Sequence, residues 1–227
     1  QKVSIIPNVS IFAACKRMAT DNENPKNERE ERLLEAAGKV FMTYGIKSVT
    51  MDDMAARLGI SKKTLYQYVK DKNDLVEKVL MHTSDQRRCA ICEVIGQQRN
   101  AIDVFFDVTT QVAANLKGIH PSIHFDLEKY HPEAFRKWRE GQRKEIYETV
   151  VYNLESGIRG GLYREDINIP MIATVYIARF DMVFDAVLFP AERFNMPELL
   201  WEIFRYHIRG IASAKGLKYL GQKVKRE

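Results

Sequence analysis

From Asn27 onward the apolar residues of this chain recur with the period of an α-helix, and the two-residue alternation of a strand is almost absent. That periodicity confines the chain to an all-α fold. Leu33, Leu34, Ala37, Val40, Phe41 and Tyr44 fall at i, i+1, i+4, i+7, i+8 and i+11, which is one stripe on one helix face. Asn27 followed by Glu30 has capping-box form, and Gly45 supplies a left-handed stop, so a helix is expected from about Glu28 to Tyr44.

The next stretch is shorter and more sharply punctuated. Thr50 with Asp53 is a second capping-box pattern, flanked by Val49 and Met54 as a hydrophobic staple. Met54, Ala55 and Leu58 then give a short helix closed by Gly59. Ser61 caps another from Lys62 to about Val69, and Asp71, or Asn73 with Asp74, opens a fourth. Two short helices joined through a glycine have the size and turn chemistry of a helix-turn-helix. A recognition helix exposes donors at its leading end. Lys62, Lys63, Thr64, Gln67 and Tyr68 form that surface, while Leu65 and Val69 face inward. Lysine donates to guanine acceptors, glutamine pairs adenine, and a threonine methyl meets thymine. By pattern alone, a solvated basic face on an ordinary three-helix unit is an equal reading.

The run Gly59-Ile60-Ser61-Lys62-Lys63-Thr64-Leu65-Tyr66-Gln67-Tyr68-Val69-Lys70-Asp71-Lys72-Asn73-Asp74-Leu75 resembles the DNA-binding signature of the TetR family. The upstream segment from Leu33 through Thr50-Met51-Asp52-Asp53-Met54-Ala55 matches that family's first two helices in order and spacing, so the resemblance covers about residues 28–80. It implies a sequence-specific transcriptional regulator, a repressor released from a palindromic double-stranded operator by a small, largely apolar effector. Carried over by position, Thr50 is implied to contact phosphate. Lys62, Lys63, Thr64, Tyr66, Gln67 and Tyr68 are implied to touch bases or backbone, and Lys72 to hold phosphate at the start of the fourth helix. Lys63 stands where the family commonly has a small residue, so base preference does not transfer.

The second half reads as four longer helices, Ala101 to Leu116, Pro132 to Gly157, Pro170 to Leu188 and Pro197 to about Lys215, three of them opening with proline. The resemblance implies that this half holds an effector cavity and that its last two helices form a homodimer interface. Stripes of Ile172, Val175, Tyr176, Phe180, Val183, Phe184 and Val187, and of Leu199, Leu200, Ile203, Phe204, Ile208 and Ile211, supply the material, although core packing explains such stripes as well. Aromatic residues are dense between Phe105 and Phe184. Phe105, Thr109, His124, Phe125, Trp138, Tyr147, Tyr176 and Phe180 are the candidate ligand-binding residues, with Asp181 a further anchor. The expected organisation is a flexible arm over 1–26, a helix-turn-helix domain over 27–75, a helical ligand-binding and dimerisation domain over 76–216, and a basic tail over 217–227.

Composition narrows the alternatives. A hydrophobic share of 45% with 29% charged residues is that of a globular protein, and the net charge of +5 permits nucleic-acid contact without demanding it. No run approaches the roughly 20 apolar residues of a transmembrane helix, so no membrane partner is expected. Val3 to Cys15 has some signal-like character but is interrupted by Pro7 and Asn8, and Met18 offers an alternative start. The three cysteines, Cys15, Cys89 and Cys92, predict reduced thiols in a cytoplasm rather than a disulfide framework. His120, His124 and His131 lack the spacing of a catalytic zinc site, so no metal, cofactor or enzymatic activity is expected. Two rival readings are a helical lipid- or partner-binding protein with a vestigial helix-turn-helix, and a redox protein built on the C-x-x-C of Cys89 and Cys92.

Overall fold

The computed structural model describes residues 25–97, 99–115, 120, 122–183, 185, 187–190 and 192–224. Among these, ten helices occur in order: α1 (Pro25–Tyr44), α2 (Met51–Arg57), α3 (Lys62–Leu65), α4 (Lys72–Gly96), α5 (Ala101–Asn115), α6 (Ile123–Tyr130), α7 (Pro132–Arg159), α8 (Ile169–Met182), α9 (Met196–Ile211) and α10 (Ala214–Val224). The described residues hold no strand, only the isolated antiparallel bridge between Tyr163 and Ala212. The all-α expectation holds.

Two main cores organise the helices. The first gathers Leu34, Ala37 and Phe41 from α1, Met54 and Ala55 from α2, Leu65 from α3, and Leu75, Val76, Val79 and Leu80 from α4. Ile123 and Leu127 of α6 and Phe135 of α7 enter the same core, so this half is sealed by residues far along the chain. The second joins Ile102 and Phe105 of α5, Val150 and Leu154 of α7, Ala173 of α8, and Phe204, Ile208 and Ile211 of α9. Helix α4 is about 37 Å long at 1.5 Å per residue and runs from the first core toward the second. Midway along, Arg87 and Arg88 both donate to Glu145 of α7, the Arg87 pair at 3.2 Å.

Several boundaries differ from the sequence expectation. Helix α1 begins at Pro25, so Asn27 lies inside it and is not its cap. Helix α8 ends at Met182, short of Leu188, and Phe184 lies outside the described residues. The last long helix stops at Ile211, because Ala212 turns extended (φ −67°, ψ 139°) and Ser213 donates its backbone N–H to Leu162 O at 2.9 Å. Residues 217–224, expected as a loose tail, belong to α10, which anchors itself through buried Leu220. Gly216 makes that docking possible, since a Cβ there would lie 2.0 Å from Leu162 O. Local signals for this helix exist, with Ser213 Oγ accepting from Gly216 N at 3.1 Å and Leu217, Leu220 and Val224 at helical spacing, but the density of Lys and Gly masks them. Cys92 is disulfide-bonded, against the expectation of a wholly reduced set.

Candidate nucleic-acid interface

The interface is built on local capping. Thr50 sits in extended conformation before α2, its Oγ1 accepts from Asp53 N at 3.1 Å, and its own N–H donates to Asp53 Oδ2 at 3.0 Å. The capping box is therefore complete, and Val49 and Met54 on either side of it are both buried. Gly59 ends the turn with φ +66°, a conformation costly for any residue with a Cβ. Ser61 caps α3 by accepting from Thr64 N at 3.0 Å. The regular turn of α3 covers only Lys62–Leu65, shorter than expected; Gln67 N→Thr64 O and Tyr68 N→Leu65 O continue it with tighter i→i+3 bonds.

This short element divides cleanly by exposure. Leu65 and Val69 are buried in the first core, whereas Lys62, Lys63, Tyr66 and Gln67 are exposed and Thr64 and Tyr68 half-buried. Lys62 pairs with Asp52 at 2.8 Å, with both side chains more than half exposed. An ion pair of that kind is worth little in water and yields readily to a stronger anion. Lys72, the first residue of α4, is fixed differently. Asp71 caps the helix by accepting from Asp74 N at 2.9 Å, and Lys72 Nζ donates to Lys47 O at 3.3 Å. Burial holds the Lys72 ammonium below its ordinary pKa, opposed by the fields of Asp126 and Asp53. Thr50, Lys62 and Lys72 are thus placed by Asp53, Asp52 and the Lys47 carbonyl respectively.

The eight ligand-binding candidates do not converge on one place. Phe105 and Tyr176 meet at 5.4 Å between ring centroids, and Phe105 stacks on Phe204 at 5.3 Å. Tyr147 packs against the same core, and Phe180 against Ala113 and Val183 beside it. Thr109 is buried within α5, its hydroxyl spent on Phe105 O at 2.8 Å. His124 and Trp138 instead pack on Phe135 at the first core, 4.9 and 5.8 Å from its ring. Phe125 is 54% exposed. Asp181, the suggested anchor, is occupied by Arg139 and Arg143 at 3.3 and 2.7 Å.

Two residues become conspicuous in three dimensions: His207, which was not a candidate, and Asp126, which the sequence is equally consistent with placing in a solvated loop. His207 is 4% exposed, enclosed by Phe105 and Tyr176, and its Nε2 has no hydrogen-bond partner. Burial, helped by Arg179, pushes its pKa down to about 4, so the ring is neutral. Asp126, also 4% exposed, accepts from Lys47 N at 2.9 Å and from Ser122 Oγ at 3.1 Å. Ser122 is a local partner of Asp126, but Lys47 lies 79 positions away, beyond any local pattern. Among the described residues no group of three or more His, Cys, Asp or Glu is placed to hold a metal ion, and no helix is long and apolar enough to cross a membrane.

A capped helix pair with an exposed polar leading end, carried on an all-helical body, defines a helix-turn-helix DNA-binding regulator of transcription. Residues 33–79 match the family model described as bacterial regulatory proteins, tetR family. The chain is 25% identical over 165 residues to the transcriptional repressor KstR2 of Mycolicibacterium smegmatis, covering 68% of this chain and 77% of that protein. It is 33% identical over 93 residues to the transcriptional activator FasR of the same organism, covering 38% of this chain and 42% of FasR. In fold it is similar to FadR from Bacillus subtilis, solved in complex with stearoyl-CoA, with a TM-score of 0.62 and 19% identity over 79% of this chain and 97% of that one. Residues 33–79 are thus similar to the DNA-binding segment of the tetR family, and the fold of the chain is similar to that of solved transcriptional regulators.

Proposed function

We propose that the protein is a ligand-gated repressor, which binds a palindromic operator as a homodimer and is released by a small, largely apolar effector. The observation that carries this reading is the division of α3: Leu65 and Val69 lock the element into the core while Lys62, Lys63, Tyr66 and Gln67 face outward at its leading end. In this reading Thr50 and Lys72 hold phosphate, and Lys62, Lys63, Thr64, Tyr66, Gln67 and Tyr68 meet bases or backbone. Residues 27–75 act as the reading domain and 76–216 as the sensing and dimerising domain, with the continuous helix α4 as the link.

The second half supports dimerisation through its unpartnered surface. Met171, Val175 and Met182 are exposed on one side of α8, and Tyr206 on α9 is 71% exposed with Arg179 stacked over its ring at 4.7 Å. The stripe of α9 expected at an interface is largely core: Leu200, Phe204, Ile208 and Ile211 are all buried within the monomer. The dimer surface therefore draws on the opposite, mixed face of α9. Two such faces across a two-fold axis would space the α3 elements one turn of B-DNA apart, about 34 Å. Apolar effector binding is supported by the aromatic cluster of Phe105, Tyr176 and Phe204, and FadR offers the precedent of a large acyl ligand in the same fold. An effector that binds better to a differently spaced dimer shifts the population away from the operator-bound form.

Fluorescence polarisation with duplexes from the region upstream of the gene tests this function. Binding that saturates at one dimer per palindromic site, with affinity falling by orders of magnitude between about 50 and 200 mM salt, is expected for several phosphate contacts per half-site. Absence of any duplex binding, or one insensitive to salt, rules the reading out.

A further inference from the structure

The loop before α2 and the end of α6 form one surface, although 79 positions separate their connecting residues. Buried Asp126 of α6 receives Lys47 N, His120 donates its backbone N–H to Met42 O at 2.8 Å, and Gly45 (φ +81°) leaves no room for a side chain, since a Cβ would meet Ser122 Oγ at 2.8 Å. Helix α6 is thus fixed to the segment that leads directly into Thr50. At its end, Lys47 Nζ lies 4.9 Å and Lys129 Nζ 5.6 Å from the centroid of the Tyr130 ring, and Lys129 is also 5.1 Å from the Phe125 ring. Lys47, Lys129, Tyr130 and Phe125 are all exposed. The patch continues without a break into the proposed phosphate contacts, because Lys72 Nζ bonds the Lys47 carbonyl and Thr50 lies three residues further on.

We infer that this patch is a second DNA-backbone contact, in which Lys129 and Lys47 bind phosphates flanking the segment read by the helix-turn-helix. The inference rests on the reading of α2 and α3 as a DNA-binding unit. Its physical basis is an excess of positive charge, two exposed ammonium groups against the one buried carboxylate of Asp126. Among the described residues, no carboxylate forms an ion pair with Lys47 or Lys129, whereas Lys39, Lys62, Lys78 and Lys137 each have one. Two ammonium groups over one aromatic ring repel each other, and the ring faces compensate only part of that cost. A duplex places one negative charge per about 1.7 Å along its axis and relieves the repulsion directly. The Tyr130 hydroxyl, held below its ordinary pKa by its hydrogen bond to Lys47, stands beside the same site. Through this patch a helix of the second half touches the nucleic acid itself, so any displacement of α6 changes DNA affinity without first moving α4.

The test uses the full chain and a fluorescein-labelled random-sequence duplex of about 30 base pairs, because backbone contacts contribute to binding without sequence information. Each phosphate contact contributes about 0.9 to the slope of log K against log salt. Because the dimer carries each residue twice, Lys129→Ala and Lys47→Ala are each expected to reduce the slope by about 1.8. Between 50 and 200 mM KCl, that makes the loss of affinity about 12-fold smaller than for the wild type. Lys129→Arg is expected to keep the wild-type slope, and Lys218→Ala on α10 to leave it unchanged. Circular dichroism confirms that each variant is folded. A wild-type slope in Lys129→Ala, beside a reduced slope in Lys72→Ala, overturns the patch and leaves the helix-turn-helix reading intact. A wild-type chain with no salt-dependent binding overturns both.

Discussion

The two ends of the molecule share one local device and differ in what is added to it. Around α2 and α3, structure is set by residues within four positions of each other: Thr50 with Asp53, Ser61 with Thr64, Asp71 with Asp74, each a cap with its own donor and acceptor. In the second half α8, α9 and α10 are capped just as locally, by Asn168, Asn195 and Ser213, but long-range bonds are added to those caps. Tyr163 OH donates to Asn153 Oδ1 at 2.8 Å, Asn153 Nδ2 to Ala101 O at 2.8 Å, and Lys215 Nζ to Gly160 O at 3.0 Å. A reading surface must present the same side chains whatever the rest of the chain does, and local caps achieve that. In the second half, the added long-range contacts make its parts interdependent.

This contrast can be broken or sharpened by measurement. Phe204 is 3% exposed and touches Phe105, Phe106 and Trp201, so Phe204→Ala is expected to lower stability by about 3–5 kcal/mol in urea unfolding. Near-wild-type stability would mean that the second core repacks freely. His207 comes next. Its pKa is about 4 in the fold, below the ordinary value of 6.5, so the unfolded chain binds more protons between those values. Stability is therefore full above pH 6.5 and falls as pH drops toward 4, by roughly 3 kcal/mol over that window. His207→Leu should remove that part of the acid sensitivity, and an unaltered pH profile contradicts the assignment.

Smaller effects separate the two kinds of contact within the reading surface. Lys63→Ala is expected to cost about 1–3 kcal/mol at one base position and to relax preference there, read by competition among duplex variants. Lys72→Ala should instead weaken all sequences alike. Indistinguishable behaviour of the two would erase the division between reading and anchoring. Smallest is Thr50→Ala, which removes one cap and is expected to cost about 1 kcal/mol of stability, with a modest loss of duplex affinity. A loss approaching that of Phe204→Ala would show that the local caps, too, depend on the whole molecule.

What short-range chemistry encodes was readable in the order of residues. The capping residues, the positive-φ glycines at 45 and 59, and the apolar period of 3.6 made the helix-turn-helix legible. They act within one or two turns and need no information about the rest of the chain. Folding alone settles which aromatic residues share a core, that α6 closes the first core through Ile123 and Leu127, and where α10 docks through Leu220. It also separated Phe105 and Tyr176 from His124 and Trp138, all equally aromatic on paper. The physical reason is that burial is a property of pairs of surfaces. A periodic stripe states that a face will be covered, but what covers it depends on loop lengths and close approaches such as Gly216 on Leu162, which no local pattern records.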